Sequence, residues 1–315
     1  MSGFVITRLA DAVRIGPVVL DGGLATQLES QGYHLDSELW SAQLLHDDPD
    51  AIVGAHMAYF AAGAQVATTA SYQASLGGFA RVGIERSEAE QLIRRSVRLA
   101  EQARVRFEDG KDRWIAGSVG PYGAALADGS EYRGDYHLTI NQLRTWHRPR
   151  IALLAEAGVD ILALETIPCL VEVEALLAEI DGSGQPCWLS ITCAGDRTRA
   201  GEPATEAFSL ARGVEEIVAV GVNCIDPADA YPLIRSASES TGKPVVVYPN
   251  SGERWDAAAR TWVGPARFHP TDVTEWIDGG ACLVGGCCRV GPPEIRAIRD
   301  LVGREDLNSA TRQPR

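Results

Sequence analysis

The sequence predicts a single-domain α/β fold, a closed (β/α)8 barrel. Short β-branched runs alternate with longer amphipathic stretches along the chain, and eight such pairs fill Val18 to Val302. No G-x-G-x-x-G follows the first run, so an open dinucleotide-binding sheet has no specific support. The first strand is Val18 to Asp21, ending in Gly22-Gly23. Asp50 to Ala62 follows as a helix, with Ile52, Ala55, Tyr59 and Ala62 near one face. Gln65 to Thr69 is the second strand. Ser87 to Phe107 is a long helix, and Ser87 with Glu90 fits a capping box. Trp114 to Val119 is the third strand, followed by a helix from Ile140 to Ala157 with a kink at Pro149. The remaining strands are Ile161 to Glu165, Cys187 to Thr192, Ala219 to Asn223, Val245 to Pro249 and Ala281 to Val284. Their helices are Val171 to Ile180, Thr205 to Arg212, Pro227 to Ser240, Thr271 to Ile277 and Pro292 to Val302. The barrel thus spans 1–303, and 304–315 reads as a frayed polar tail.

The formal net charge of −13 argues against nucleic-acid and anionic-membrane partners, which are themselves polyanions. Met1 to Val13 lacks the apolar centre of a signal peptide, and no run approaches the length of a membrane span. The expectation is a cytoplasmic protein. Seven cysteines, an odd number clustered late in the chain, do not read as a disulfide framework.

In such barrels the chemistry sits at the C-terminal ends of the strands. Those ends carry Asp21-Gly22-Gly23, Thr69 to Gln73, Ser118 to Pro121, Glu165-Thr166, Thr192-Cys193, Asn223-Cys224, Pro249 to Gly252 and Gly285 to Arg289. Cys224 thus follows the sixth strand, and Cys287 and Cys288 follow the eighth. Neighbouring residues of a regular strand point to opposite faces, but Gly285-Gly286 frees the backbone to turn so that both sulfurs converge. Three thiolates with an open fourth position make a catalytic zinc site, Zn2+ being the cofactor. The alternative is that these are buried apolar cysteines.

These segments resemble the homocysteine S-methyltransferases, and among them the bacterial and plant enzymes that use S-methylmethionine. The resemblance rests on Asp21 to Thr26, Gly63 to Val66 with Thr69 to Gln73, Ala116 to Tyr122, Asp128 to Tyr136, Gly221 to Cys224, Tyr248 to Gly252 and Gly285 to Arg289. It covers nearly the whole chain, and the Gly-Val-Asn-Cys and Gly-Gly-Cys-Cys-Arg pair is highly specific. It implies a (β/α)8 barrel, zinc on Cys224, Cys287 and Cys288, and an amino-group site formed by Asp21 and Glu165. Two carboxylates at strand ends suit an ammonium group. Each also has a plainer reading, Asp21 as a turn residue and Glu165 as a carboxylate near a helix N-terminus. Gly22, Gly23, Gln73, Asn223 and Asn250 are further substrate-binding candidates. No catalytic residue is expected beyond the zinc site.

The implied partners are small molecules, homocysteine and a methyl donor, acted on by a monomer. Thr166 stands where betaine-using relatives carry an aromatic residue, which favours S-methylmethionine, with S-adenosylmethionine second. Tyr72, Tyr122, Tyr132, Tyr136, Trp40, Trp255 and Trp262 are candidate faces for a sulfonium. Asp128 to Thr139 and Ser251 to Phe268 are long enough to close over the site. Cys169, Cys187, Cys193 and Cys282 read as structural, and the six histidines as surface residues without metal spacing. The rival readings are a betaine-dependent or other thiol methyltransferase, a metal-free barrel lyase, and a zinc-binding protein without methyl transfer.

Overall fold

The computed structural model describes residues 7–35, 39–256 and 261–311. Eight parallel strands form a nearly closed barrel: β1 Val18–Val19, β2 Val66–Thr68, β3 Trp114–Val119, β4 Ile161–Ile167, β5 Cys187–Ile191, β6 Ile217–Asn223, β7 Val245–Tyr248 and β8 Ala281–Val284. Each pairs with its neighbours in chain order from β2 to β8, and β8 pairs with β1. The last seam, between β1 and β2, is bridged by Gln65. Its amide donates to the Val19 carbonyl at 2.7 Å, and its side-chain oxygen accepts from the Val19 amide at 3.1 Å.

The twofold strand repeat divides the core into an inner and an outer layer. Trp114 and Ala116, Ile161 and Ala163, Trp188, Ala219, Val246 and Tyr248 fill the barrel's interior. Ile115, Leu162, Leu164, Leu189, Val220 and Val247 pack outward against the helices. The same parity carries Ser118, Glu165 and Ser190 inward at the top of their strands, above the apolar layers. At the other end, Leu9 and Val13 of the helix Leu9–Ile15 join the interior cluster, and Trp114 donates its indole N–H to the Thr7 carbonyl at 2.7 Å. This helix closes the barrel floor.

The outer helices match the sequence expectation closely, with differences at their ends. The helix Arg86–Arg106 starts with Glu85 at its N-cap and has no side-chain cap, so Ser87 lies inside the first turn and makes no capping box. The capping box occurs at Thr139 and Gln142 instead, at the start of Ile140–Glu156, which runs on through Pro149. The last helix continues from Pro292 to Thr311, past the expected end at Val302. Among the described residues no helix is long and apolar enough to cross a membrane.

Gly221, in the middle of β6, lies where the neighbouring strand leaves no room: a Cβ there would stand 1.8 Å from the Val246 carbonyl oxygen. We predict that Gly221→Ala destabilises the chain by about 3 kcal/mol or prevents folding, because the strand must shift to admit one carbon. The urea midpoint of the variant against the parent measures this.

Candidate metal and substrate site

At the top of β6, Cys224 takes a left-handed backbone (φ +49°), with its amide donating to the Tyr248 carbonyl at 3.2 Å. Beyond β8 the chain threads between the ends of β7 and β1. Gly285 donates to Val247 (3.1 Å), Gly286 to Asp21 (3.2 Å) and Cys287 to Pro249 (2.8 Å), each to a backbone carbonyl. The glycines serve this crowding. A Cβ on Gly285 would lie 2.7 Å from the Asp21 carbonyl oxygen, and one on Gly286 2.1 Å from Val290. Neither glycine has a left-handed φ, so the expectation of a specially freed backbone is corrected. The left-handed residue is Arg289 (φ +66°), just past Cys288.

The three Sγ atoms of Cys224, Cys287 and Cys288 all lie within 4.8 Å of one another, a group able to hold a metal ion. Cys224 and Cys287 are joined as a disulfide, with Cα atoms 5.6 Å apart. Metal loading therefore requires the reduced pair, since the thiolate is the ligand. Burial, with Glu29, Glu131 and Glu165 adding repulsion, pushes the Cys288 thiol up to about 12. A thiolate there lacks compensating charge, and a divalent cation supplies it. The residues fit a thiolate-bound ion.

Asp21 and Glu165 are both buried. Asp21 accepts from the Thr68 amide (2.6 Å) and hydroxyl (2.8 Å). Burial outweighs these bonds, Glu165 adds repulsion, and the Asp21 carboxyl rises to about 7. Glu165 accepts from the Ser118 hydroxyl and from the Tyr248 hydroxyl at 3.0 Å; Tyr248 in turn accepts from the Trp188 indole at 3.0 Å. Burial holds the Glu165 carboxyl above its ordinary range despite these donors. Two enclosed carboxylates at one barrel end, each fixed in orientation, are arranged for a cation.

The other candidates surround this centre. Asn223 is fully enclosed. Its oxygen accepts from the Thr166 amide and the Ser190 hydroxyl, and its nitrogen donates to the Thr166 hydroxyl, all at 2.7 Å. It thereby holds Thr166 in a left-handed conformation (φ +61°) directly after Glu165. Asn250 accepts from the Cys288 amide at 3.1 Å. Gly22 and Gly23 admit close backbone: their Cβ atoms would lie 2.3 Å from the Val290 carbonyl oxygen and 2.6 Å from that of Cys287. Gln73 donates to the Ala124 carbonyl at 3.1 Å, while its own oxygen is buried without a partner. Tyr122 packs edge-on against Tyr136 and Trp146. The segment after β3 carries a 3-10 turn at Ser130–Tyr132, and the one after β7 a hairpin pairing Arg254–Asp256 with Thr261–Val263. The side chains of Trp40 and Trp255 lie outside the described residues.

A buried polar network behind the site has no signature in the sequence. Arg150, 2% exposed, donates to the carbonyls of Tyr72 (3.1 Å), Ala74 (3.5 Å) and Gly120, at the tops of β2 and β3. His147 meets Glu172 at 2.8 Å, and the same Glu172 oxygen accepts from the Tyr122 amide at 2.6 Å. The surface placement expected for the histidines therefore fails for His147 and His56, which are both fully buried. Helix periodicity reports which face is covered, and a histidine on a covered face reads as surface until its partner is seen.

The homocysteine S-methyltransferase family profile matches residues 18–302. A homocysteine S-methyltransferase of Bacillus subtilis is 43% identical over 292 residues, covering 89% of this chain and 93% of the relative. The Escherichia coli homocysteine S-methyltransferase is 41% identical over 291 residues, covering 90% and 94%. The crystal structure of the E. coli homocysteine methyltransferase MmuM in its metallated form superposes with a TM-score of 0.83 at 39% identity, over 91% of this chain and 96% of that one. With the family profile matching residues 18–302 and relatives 41% and 43% identical over most of the chain, the chain belongs to the homocysteine S-methyltransferase family, enzymes of methyl transfer to homocysteine.

Proposed function

We propose that this chain moves a methyl group from a sulfonium donor, S-methylmethionine first and S-adenosylmethionine second, to the sulfur of L-homocysteine. Zinc held by Cys224, Cys287 and Cys288 is its cofactor. The observation that carries this reading is the meeting of three sulfurs within 4.8 Å at the barrel end that also holds Asp21 and Glu165. Bound there, zinc supplies the positive charge that keeps the acceptor sulfur deprotonated at neutral pH.

The chain's own residues do the rest. Asp21 and Glu165 accept N–H bonds from the homocysteine ammonium, and that cation relieves the burial that otherwise keeps both carboxyls protonated. Thr68, Ser118 and Tyr248 hold the two carboxylates in place. Asn250 fixes the amide of Cys288, Asn223 fixes the turn after Glu165, Gly22 and Gly23 let the backbone approach, and Gln73 offers an unpartnered acceptor oxygen. In the transfer the donor's sulfur–methyl bond breaks, and its electron pair stays on the donor sulfur, which becomes a neutral thioether. The methyl carbon bonds to the acceptor sulfur, whose proton has already left to solvent. Positive and negative charge cancel, and a dry barrel mouth makes that cancellation worth more. A zinc-binding protein without methyl transfer would leave the buried carboxylates of Asp21 and Glu165 without a cation to balance them.

Three outcomes test the reading. Cys288→Ala loses stoichiometric zinc and methionine formation while its circular dichroism and melting stay close to the parent's; normal turnover in the zinc-free variant would refute it. Glu165→Ala raises the homocysteine KM by at least about tenfold with zinc still bound, the loss of one charge-assisted bond. An unchanged KM removes Glu165 from the site. The third outcome is a pH dependence. Because Asp21 sits near 7 in the free protein, homocysteine must displace its proton below that pH. KM therefore rises as pH falls through 7, and Asp21→Asn flattens this rise in a KM–pH series.

A further inference from the structure

We propose that Glu131 and Arg199, gathered around Tyr132 at the barrel mouth, form the subsite that reads the amino-acid end of the sulfonium donor. The proposal rests on the methyl-transfer reading above and assigns the donor's second half, which zinc, Asp21 and Glu165 leave unheld.

Arg199 lies beyond β5. Its Nε donates to the Thr192 hydroxyl at 3.3 Å, a terminal nitrogen reaches the Cys224 carbonyl at 3.5 Å, and its guanidinium lies 5.4 Å from the centre of the Tyr132 ring. The guanidinium is thus beside the first metal-binding cysteine, held by long bonds, and it forms no ion pair among the described residues. A planar fork left without a carboxylate is matched to one.

Glu131 is the neighbouring residue on the 3-10 turn Ser130–Tyr132. Its Oε2 is buried with no hydrogen-bond partner, an orphan acceptor as the Gln73 oxygen is. The backbone here is fixed tightly, since a Cβ on Gly123 would stand 2.4 Å from the Glu131 nitrogen. The next basic residue, Arg133, is engaged by Asp128 and Asp135 at 3.5 Å each. Burial raises the Tyr72 and Tyr132 hydroxyls, and the charge of Glu131 adds to both.

A buried acceptor, a guanidinium with no ion pair among the described residues and an aromatic face together match an α-ammonium, an α-carboxylate and a sulfonium. These are the three charged parts of an amino-acid sulfonium. The acceptor's ammonium is held separately by Asp21 and Glu165, so the two amino acids do not compete for one anchor.

The test uses the full zinc-loaded chain, homocysteine as acceptor, and two donors: S-methylmethionine, and trimethylsulfonium, which keeps the sulfonium but lacks the amino-acid end. The parent should prefer S-methylmethionine. In Glu131→Gln and Arg199→Met, kcat/KM for S-methylmethionine should fall by at least about tenfold, as expected for losing one charge-assisted contact. Turnover with trimethylsulfonium, the homocysteine KM and the zinc content should change far less, which separates recognition from misfolding. Arg199→Lys, retaining a cation without the fork, should fall between the two. Unchanged donor discrimination in both variants, an equal loss with both donors, or a shift mainly in the homocysteine KM would overturn the subsite. A parent that transfers methyl from neither sulfonium would instead overturn the functional reading, and the subsite with it.

Discussion

The barrel mouth gathers more negative charge than its enclosure can tolerate. Asp21, Glu165, Glu131 and the Cys288 thiol are each displaced toward their protonated forms, and for each the largest cause is loss of water. Such an arrangement is stable when its occupants are cations. Every ligand of the proposed reaction carries positive charge at the relevant end: a divalent ion, an amino acid's ammonium, a sulfonium. On the proposed reading, charge balance links metal loading, acceptor binding and donor choice.

Placement of these groups follows from strand parity and from three residues in an unfavourable conformation. Alternation along β3, β4 and β5 brings Ser118, Glu165 and Ser190 to the inner face above packed tryptophan and alanine. Thr166, Cys224 and Arg289 then hold left-handed backbones without being glycine, and each adjoins a residue of the site or is one. Such conformations persist where surrounding contacts over-determine them. Asn223 supplies that restraint at Thr166, and the Thr26 hydroxyl, accepting from the Arg289 amide at 2.8 Å, supplies it at Arg289.

The strands and most helices were legible in the sequence because parallel strands buried on both faces read as unbroken β-branched runs, such as Val245 to Val247. The three cysteines were legible through their strand-end positions and the family pattern. Long-range polar pairing was not. Nothing local says that Arg150 will reach the carbonyls after β2 and β3, or that His147 will face Glu172. The Gly285-Gly286 pair was visible, but its reason was misread: a crossing of chains appears in sequence as small residues, the same mark that a flexible turn leaves. Ser87 and Glu90 matched a capping pattern that the helix, beginning a residue earlier, does not use.

The join between β1 and β2 is the thinnest part of the cylinder, because β1 has two residues and a glutamine side chain stands in for part of the ladder. Asp21 reaches across that same join to grip Thr68 with both carboxylate oxygens. The residue proposed to receive the acceptor is therefore also a rivet of the wall. An amino acid that draws Asp21 into its charged form strengthens the grip on Thr68, so the cylinder is held most firmly shut when it is occupied.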